Sequence, residues 1–121
     1  MRTILIIEDN DEIRDNTAEL LSINHYNVLT AENGRAGFDV AESKNPDLIL
    51  CDMVMPETDG QGFLELLKKN ESIQKIPIIF FSAGTSLPSI QKKLIKAADG
   101  FLKKPFQEED LITSIESVLA K

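Results

Sequence analysis

The stretch LILCDMVMPETDG, residues 48–60, reads as a core strand that runs straight into a carboxylate. Leu48, Ile49, Leu50 and Cys51 lead without interruption to Asp52, and Pro56 and Asp59-Gly60 then close the segment. A carboxylate at the mouth of a buried strand costs desolvation unless it is paired or bound to a cation. Asp52 therefore calls for partners from elsewhere in the chain.

Working outward, short apolar runs alternate with helical patterns. TILII (3–7) is too short for a helix and predicts a buried strand. From Asp11 a helix is predicted, with Ile13, Leu20 and Leu21 near one face and Asp11, Glu12 and Asp15 near its start. YNVLTA (26–31) predicts a second strand. A helix over 34–43 follows and is broken by Asn45-Pro46, after which DLILCD forms the third strand. Residues 59–70 predict a helix with Phe63, Leu66 and Leu67 inward. Pro77 introduces IIFF, the fourth strand, and residues 88–98 carry Ile90, Leu94 and Ala97 at helical spacing. GFLK (100–103) is a short fifth strand, and Glu108, Glu109 and Asp110 open a last helix with Leu111, Ile115, Val118 and Leu119 in one stripe. Continuous apolar strands joined by helices predict an α/β fold, a parallel sheet covered on both faces. By analogy with doubly wound, flavodoxin-like sheets the strand order is 2-1-3-4-5.

The bulk properties narrow the function. The 121 residues suit a single domain, 1–121, and 42% apolar content supports a core. A net charge of -7 disfavours nucleic acid or an anionic membrane as a direct partner. The one cysteine, Cys51, cannot form an internal disulfide and reads as a small buried hydrophobe. No apolar run approaches the ~18 residues of a transmembrane span, so a soluble cytoplasmic protein without membrane insertion is the expectation. The solitary His25 falls at a helix–strand turn with no metal-ligand company, and Phe80-Phe81 reads as core.

In a sheet of this kind every strand ends on one edge, where ligands bind. Glu8 and Asp9 follow the first strand, Asp52 ends the third, Ser82 follows the fourth, and Lys103 and Lys104 follow the fifth. Taken singly, each has a plain alternative, as a polar turn, a cap or a solvated loop. Taken together they converge on one rim. Crowded carboxylates repel one another, and a divalent cation relieves the repulsion. An oxygen-only donor set favours Mg²⁺ over Zn²⁺.

The motifs ILIIEDN, LILCDMVMPETDG, IIFFSAG and GFLKKPF, in that order, resemble the receiver domain of two-component response regulators over essentially the whole chain. The resemblance implies that Glu8 and Asp9 are the acidic pair that helps hold Mg²⁺. It makes Asp52 the phosphate acceptor and gives the Val54 backbone carbonyl to the metal. Ser82 matches the hydroxyl that turns toward the phosphate, Lys104 before Pro105 the conserved lysine, and Phe101 the aromatic switch position. Phosphorylation would draw Ser82 inward, let Phe101 swing, and reshape the face formed by the 88–98 helix, the fifth strand and the last helix. The implied partners are a histidine kinase or histidine phosphotransfer protein and a downstream protein target at that face. The domain would catalyse its own phosphorylation and slow dephosphorylation, with no turnover of external substrates. With Lys121 as the last residue, a stand-alone form is expected.

The chain departs from the family at Ala97, where glycine often ends a helix, and at Gly62, a place often acidic. Gln107 is a weak N-cap, and 84–89 is rich in Gly, Ser and Pro. The competing readings are an aspartyl phosphatase, a flavin binder and a receiver-like binding module that is not phosphorylated. A phosphatase of that type wants a second Asp where Val54 stands. A flavin binder needs a phosphate-cradling loop where Glu8-Asp9-Asn10 would repel phosphate. The acidic, hydroxyl and lysine set argues against the binding module.

Overall fold

The computed structural model describes residues 1–53, 60–82 and 96–120. Five strands, β1 (Thr3–Ile7), β2 (Asn27–Ala31), β3 (Leu48–Asp52), β4 (Ile78–Ser82) and β5 (Gly100–Lys103), form one sheet in the order β2-β1-β3-β4-β5. All neighbouring pairs are parallel. The helices of the described residues are α1 (Asp11–Ile23), α2 (Gly34–Lys44), α3 (Gly60–Lys69) and α4 (Glu108–Leu119).

Why β1, β3 and β4 read as unbroken apolar runs is now plain: both faces of the sheet are covered. On one face Leu5, Ile7, Ile49, Cys51, Ile78 and Phe80 pack with Ala41 of α2 and Phe63, Leu64 and Leu67 of α3. On the other, Ile4, Ile6, Leu48, Leu50, Ile79 and Phe81 pack with Leu21 of α1 and Leu111, Ile115 and Val118 of α4. The period-2 alternation of a strand splits Phe80 from Phe81, one to each face.

Local chemistry sets the ends of the helices. Asn10 and Asn33 cap α1 and α2 by accepting from the Ile13 and Ala36 N–H groups at 2.9 and 2.8 Å. α2 ends with Asn45 in the left-handed region at φ 49°, a conformation asparagine tolerates. His25, at φ 70°, turns the chain from α1 into β2. At the start of α4 the Gln107 N–H donates to the Asp110 carboxylate at 3.3 Å, so Asp110 helps secure an end for which Gln107 alone is a weak cap.

Two sequence expectations change. Leu64 is buried beside Phe63 and Leu67, whereas Leu66 is only partly covered, so α3 is rotated from the expected face. Leu119 likewise lies at the margin of the α4 stripe. Of the two outcomes open to an alanine at position 97, a strained left-handed residue or a shifted turn, the first does not occur: Ala97 is helical and does not take positive φ. Most of the 88–98 helix and all of the 84–89 loop lie outside the described residues. No helix among the described residues is long and apolar enough to cross a membrane.

Candidate functional site

The site grows out of the carboxyl edge of the sheet. The Glu8 N–H donates to the Ala31 carbonyl at 3.0 Å, carrying the β1–β2 ladder one residue past β1. Asn10 then starts α1, so the chain turns sharply and leaves Glu8-Asp9 on the rim. Arg14, one turn into α1, donates to the Glu8 carbonyl at 2.8 Å and pairs with Asp11 at 2.5 Å. That brace ties the first turn of the helix to the residue bearing the buried carboxylate.

Asp52 closes β3 opposite Phe81 of β4. The next residue, Met53, donates its N–H to the Phe81 carbonyl at 3.0 Å and accepts from the Gly60 N–H at 3.0 Å. Ser82 ends β4 and is buried. The Lys104 N–H donates to the Ser82 carbonyl at 2.7 Å, which extends the β4–β5 ladder and aims Lys104 over the same rim.

These placements bring the charges together. The Lys104 ammonium lies 2.5 Å from Glu8 Oε1 and 3.2 Å from Asp52 Oδ2. Glu8 is 1% and Asp52 6% exposed, so both carboxylates have left water, and the ammonium offsets part of that cost. The second Glu8 oxygen accepts from the Asn10 N–H at 3.3 Å. Asp9 is exposed, yet oxygens of Glu8, Asp9 and Asp52 all lie within 4.8 Å of one another. Among the described residues, one ammonium stands against three carboxylates, which leaves the cluster with surplus negative charge. A compact set of hard oxygen donors with that surplus can hold a metal ion. Lys103, by contrast, is exposed, and Phe101 is partly buried on β5 beside Phe80. Val54 lies outside the described residues.

The electrostatics follow from the geometry. Partial desolvation raises the Asp9 carboxyl above the ordinary aspartate value, and the hydrogen bond and charge of Glu8 add to the rise. Burial would lower the Lys104 ammonium, but the hydrogen bond to Glu8 and the charges of Asp52 and Glu8 outweigh it, and the net shift is upward. Lys104 therefore stays charged throughout the physiological range. For Asp9 the sign runs against the usual carboxylate. Its folded-state value exceeds the unfolded one, so ionisation, complete above both values, disfavours the fold. Asp9→Asn is accordingly expected to raise the melting temperature slightly at pH 7, with the gain vanishing as the pH falls below the ordinary aspartate value. Its divalent-cation affinity, read by NMR titration, is expected to drop at least several-fold. Unchanged affinity would remove Asp9 from the site.

Residues 4–116 match the model of the family described as response regulator receiver domain. The chain belongs to that family. As a receiver domain it falls among the phosphoacceptor switches of two-component signalling. It is 34% identical over 120 residues to the phosphate regulon transcriptional regulatory protein PhoB of Pseudomonas aeruginosa, covering 99% of this chain and 52% of that protein. The receiver domain spans about half the length, or less, of the curated relatives it matches. Chemotaxis protein CheY4 of Vibrio cholerae superposes with a TM-score of 0.89 at 31% identity, over 98% of each chain. The receiver domain of a sensor histidine kinase from Pseudomonas aeruginosa, solved with magnesium coordinated in its active-site cleft, gives 0.90 at 25% identity, over 99% of this chain and 98% of that one.

Two side chains at this site carry no functional signal in the apolar pattern or the motifs. Arg14 is a lone cation among the acidic residues of a helix start, and that contrast in charge is the one mark that sets it apart. Phe81 reads as core, which it is, but its ring also lies under the Lys104 ammonium, 4.9 Å from nitrogen to ring centroid.

Proposed function

We propose that the domain, acting in the cytoplasm, accepts a phosphoryl group on Asp52 from a histidine kinase or histidine phosphotransfer protein. The observation that carries this reading is the Lys104 ammonium held against both Glu8 and Asp52 at the sheet edge, with Asp9 alongside. An Asp52 oxygen attacks phosphorus as the bond to the donor nitrogen breaks, giving an acyl phosphate. Such a transfer needs alignment and neutralised oxygens more than proton transfer. Lys104 supplies one positive charge, and the Ser82 hydroxyl is a candidate donor to the phosphoryl oxygens. Glu8, Asp9, Asp52 and the Val54 carbonyl would hold Mg²⁺. When bound, that ion would neutralise charge on the transferring group. A small acyl phosphate with Mg²⁺ is expected to add one phosphoryl group, removable by hydroxylamine. A hydroxylamine-stable adduct would place the phosphate on a hydroxyl and defeat the reading.

Output is proposed to pass through Ser82 and Phe101 to the surface around β5 and α4, where a protein target would dock. Direct contact with nucleic acid is disfavoured by the net charge of -7. No turnover of external substrates is proposed. Ser82→Ala should still be phosphorylated, because the nucleophile and acidic cluster remain. The NMR shift changes that beryllofluoride causes at Phe101 and α4 are expected to shrink by at least half. Equal changes in the variant and the wild type would mean that the switch bypasses Ser82.

A further inference from the structure

We propose that Phe81 is a positioning residue for Lys104, an aromatic platform that keeps the ammonium aimed at Asp52. Phe81 is fully buried, as a core phenylalanine would be, yet its ring does two things that packing alone does not require. Lys104 Nζ stands 4.9 Å from its centroid, within the range of a cation–π contact. The Phe106 ring, two residues beyond Lys104, meets it edge-on, with centroids 5.9 Å apart and planes at 71°. The loop that carries the lysine is thus fastened to β4 from both sides of Pro105: by the ammonium over the ring before it and by the Phe106 ring after it.

The arrangement addresses a geometric need. Lys104 is a flexible four-carbon stem whose only strong constraints among the described residues are two carboxylates. Both carboxylates belong to the cluster that can hold a metal, and a cation bound there competes with the ammonium for their oxygens. The ring does not enter that competition. An aliphatic residue at position 81 would keep the core apolar but offer no attraction to the charge. Phe81 therefore keeps the ammonium over the rim when its ion-pair partners are engaged elsewhere.

The consequence for phosphoryl transfer rests on Asp52 being the acceptor, but the positioning itself does not, and the test separates them. Pentafluorophenylalanine placed at 81 keeps the ring's shape while reversing its quadrupole. Phe81→Leu removes the ring. The first reading is the side-chain order parameter of the Lys104 ε-methylene by NMR relaxation, with Mg²⁺ present. It is expected to fall in both variants, toward values below about 0.6, while the fluorinated protein melts within a few degrees of the wild type. The second is the phosphorylation rate with a small acyl phosphate, expected to fall roughly three- to tenfold, the equivalent of a weak to moderate cation–π contact. An unchanged Lys104 order parameter in the fluorinated protein would overturn the proposal whatever the phosphorylation result. A wild type that takes no phosphoryl group would strike the acceptor assignment and leave the order-parameter test intact.

Discussion

Gly60→Val is expected to destabilise the domain by about 2–3 kcal/mol, the cost of forcing volume into a packed site. A Cβ at position 60 would lie 2.9 Å from the Met53 Cα, 3.0 Å from a Phe80 ring carbon and 3.1 Å from the Met53 carbonyl oxygen. Two of those three atoms are backbone and cannot swing aside. The glycine is there for the close approach, which lets the start of α3 press on the residue after Asp52 and donate to its carbonyl at 3.0 Å. Relief of the clash must move either α3 or Met53. Movement of Met53 carries Asp52 with it and disturbs its 3.2 Å contact with the ammonium. A displacement of order 1 Å at a reacting group is worth about a hundredfold in rate, so phosphorylation of the surviving folded protein should slow on that scale. Urea unfolding followed by circular dichroism should show a midpoint lowered by about 1–2 M. A midpoint within a few tenths molar of the wild type would show that the helix start yields without cost.

The strands β1, β3 and β4 are legible in the sequence because burial on both faces leaves a continuous apolar run. ILII, LILC and IIFF contain no polar residue, and only a sheet covered on both sides needs such runs. Strand order is not legible from periodicity, since the apolar pattern of β3 is the same whichever strand lies beside it; the analogy with doubly wound sheets supplies it. The rotation of α3 escapes the sequence for a similar reason. FLELL offers apolar residues on several sides of the helix, and Leu64 and Leu66 are equivalent until the neighbours are placed.

At the site, Asp52 announces itself by standing at the end of a buried strand, where a charge is expensive. The choice between Lys103 and Lys104 follows from the ladder: Lys103 is the last residue of β5 and exposed, and the Lys104 N–H bonds to Ser82 and turns its side chain inward. Phe81 stays hidden because a phenylalanine in a core strand already has a sufficient explanation. Its second role exists only once the loop after β5 lays a lysine across it.

Asp52→Asn is expected to abolish the phosphoryl adduct while keeping the fold. The amide is nearly isosteric with the carboxylate but is a poor nucleophile. The ammonium of Lys104 keeps its shorter contact, to Glu8 at 2.5 Å, so the buried glutamate is not left unpaired. One charge also leaves a crowded acidic cluster, which offsets the loss of the 3.2 Å contact. The melting temperature should therefore stay within a few degrees of the wild type. Intact-mass spectrometry of the two proteins, side by side with the same acyl phosphate donor and Mg²⁺, bears most directly on the assignment of Asp52. The expected result is one hydroxylamine-labile phosphoryl group on the wild type and none on Asp52→Asn. The same labile adduct on the variant, or no adduct on the wild type with any small donor or histidine kinase, would contradict it.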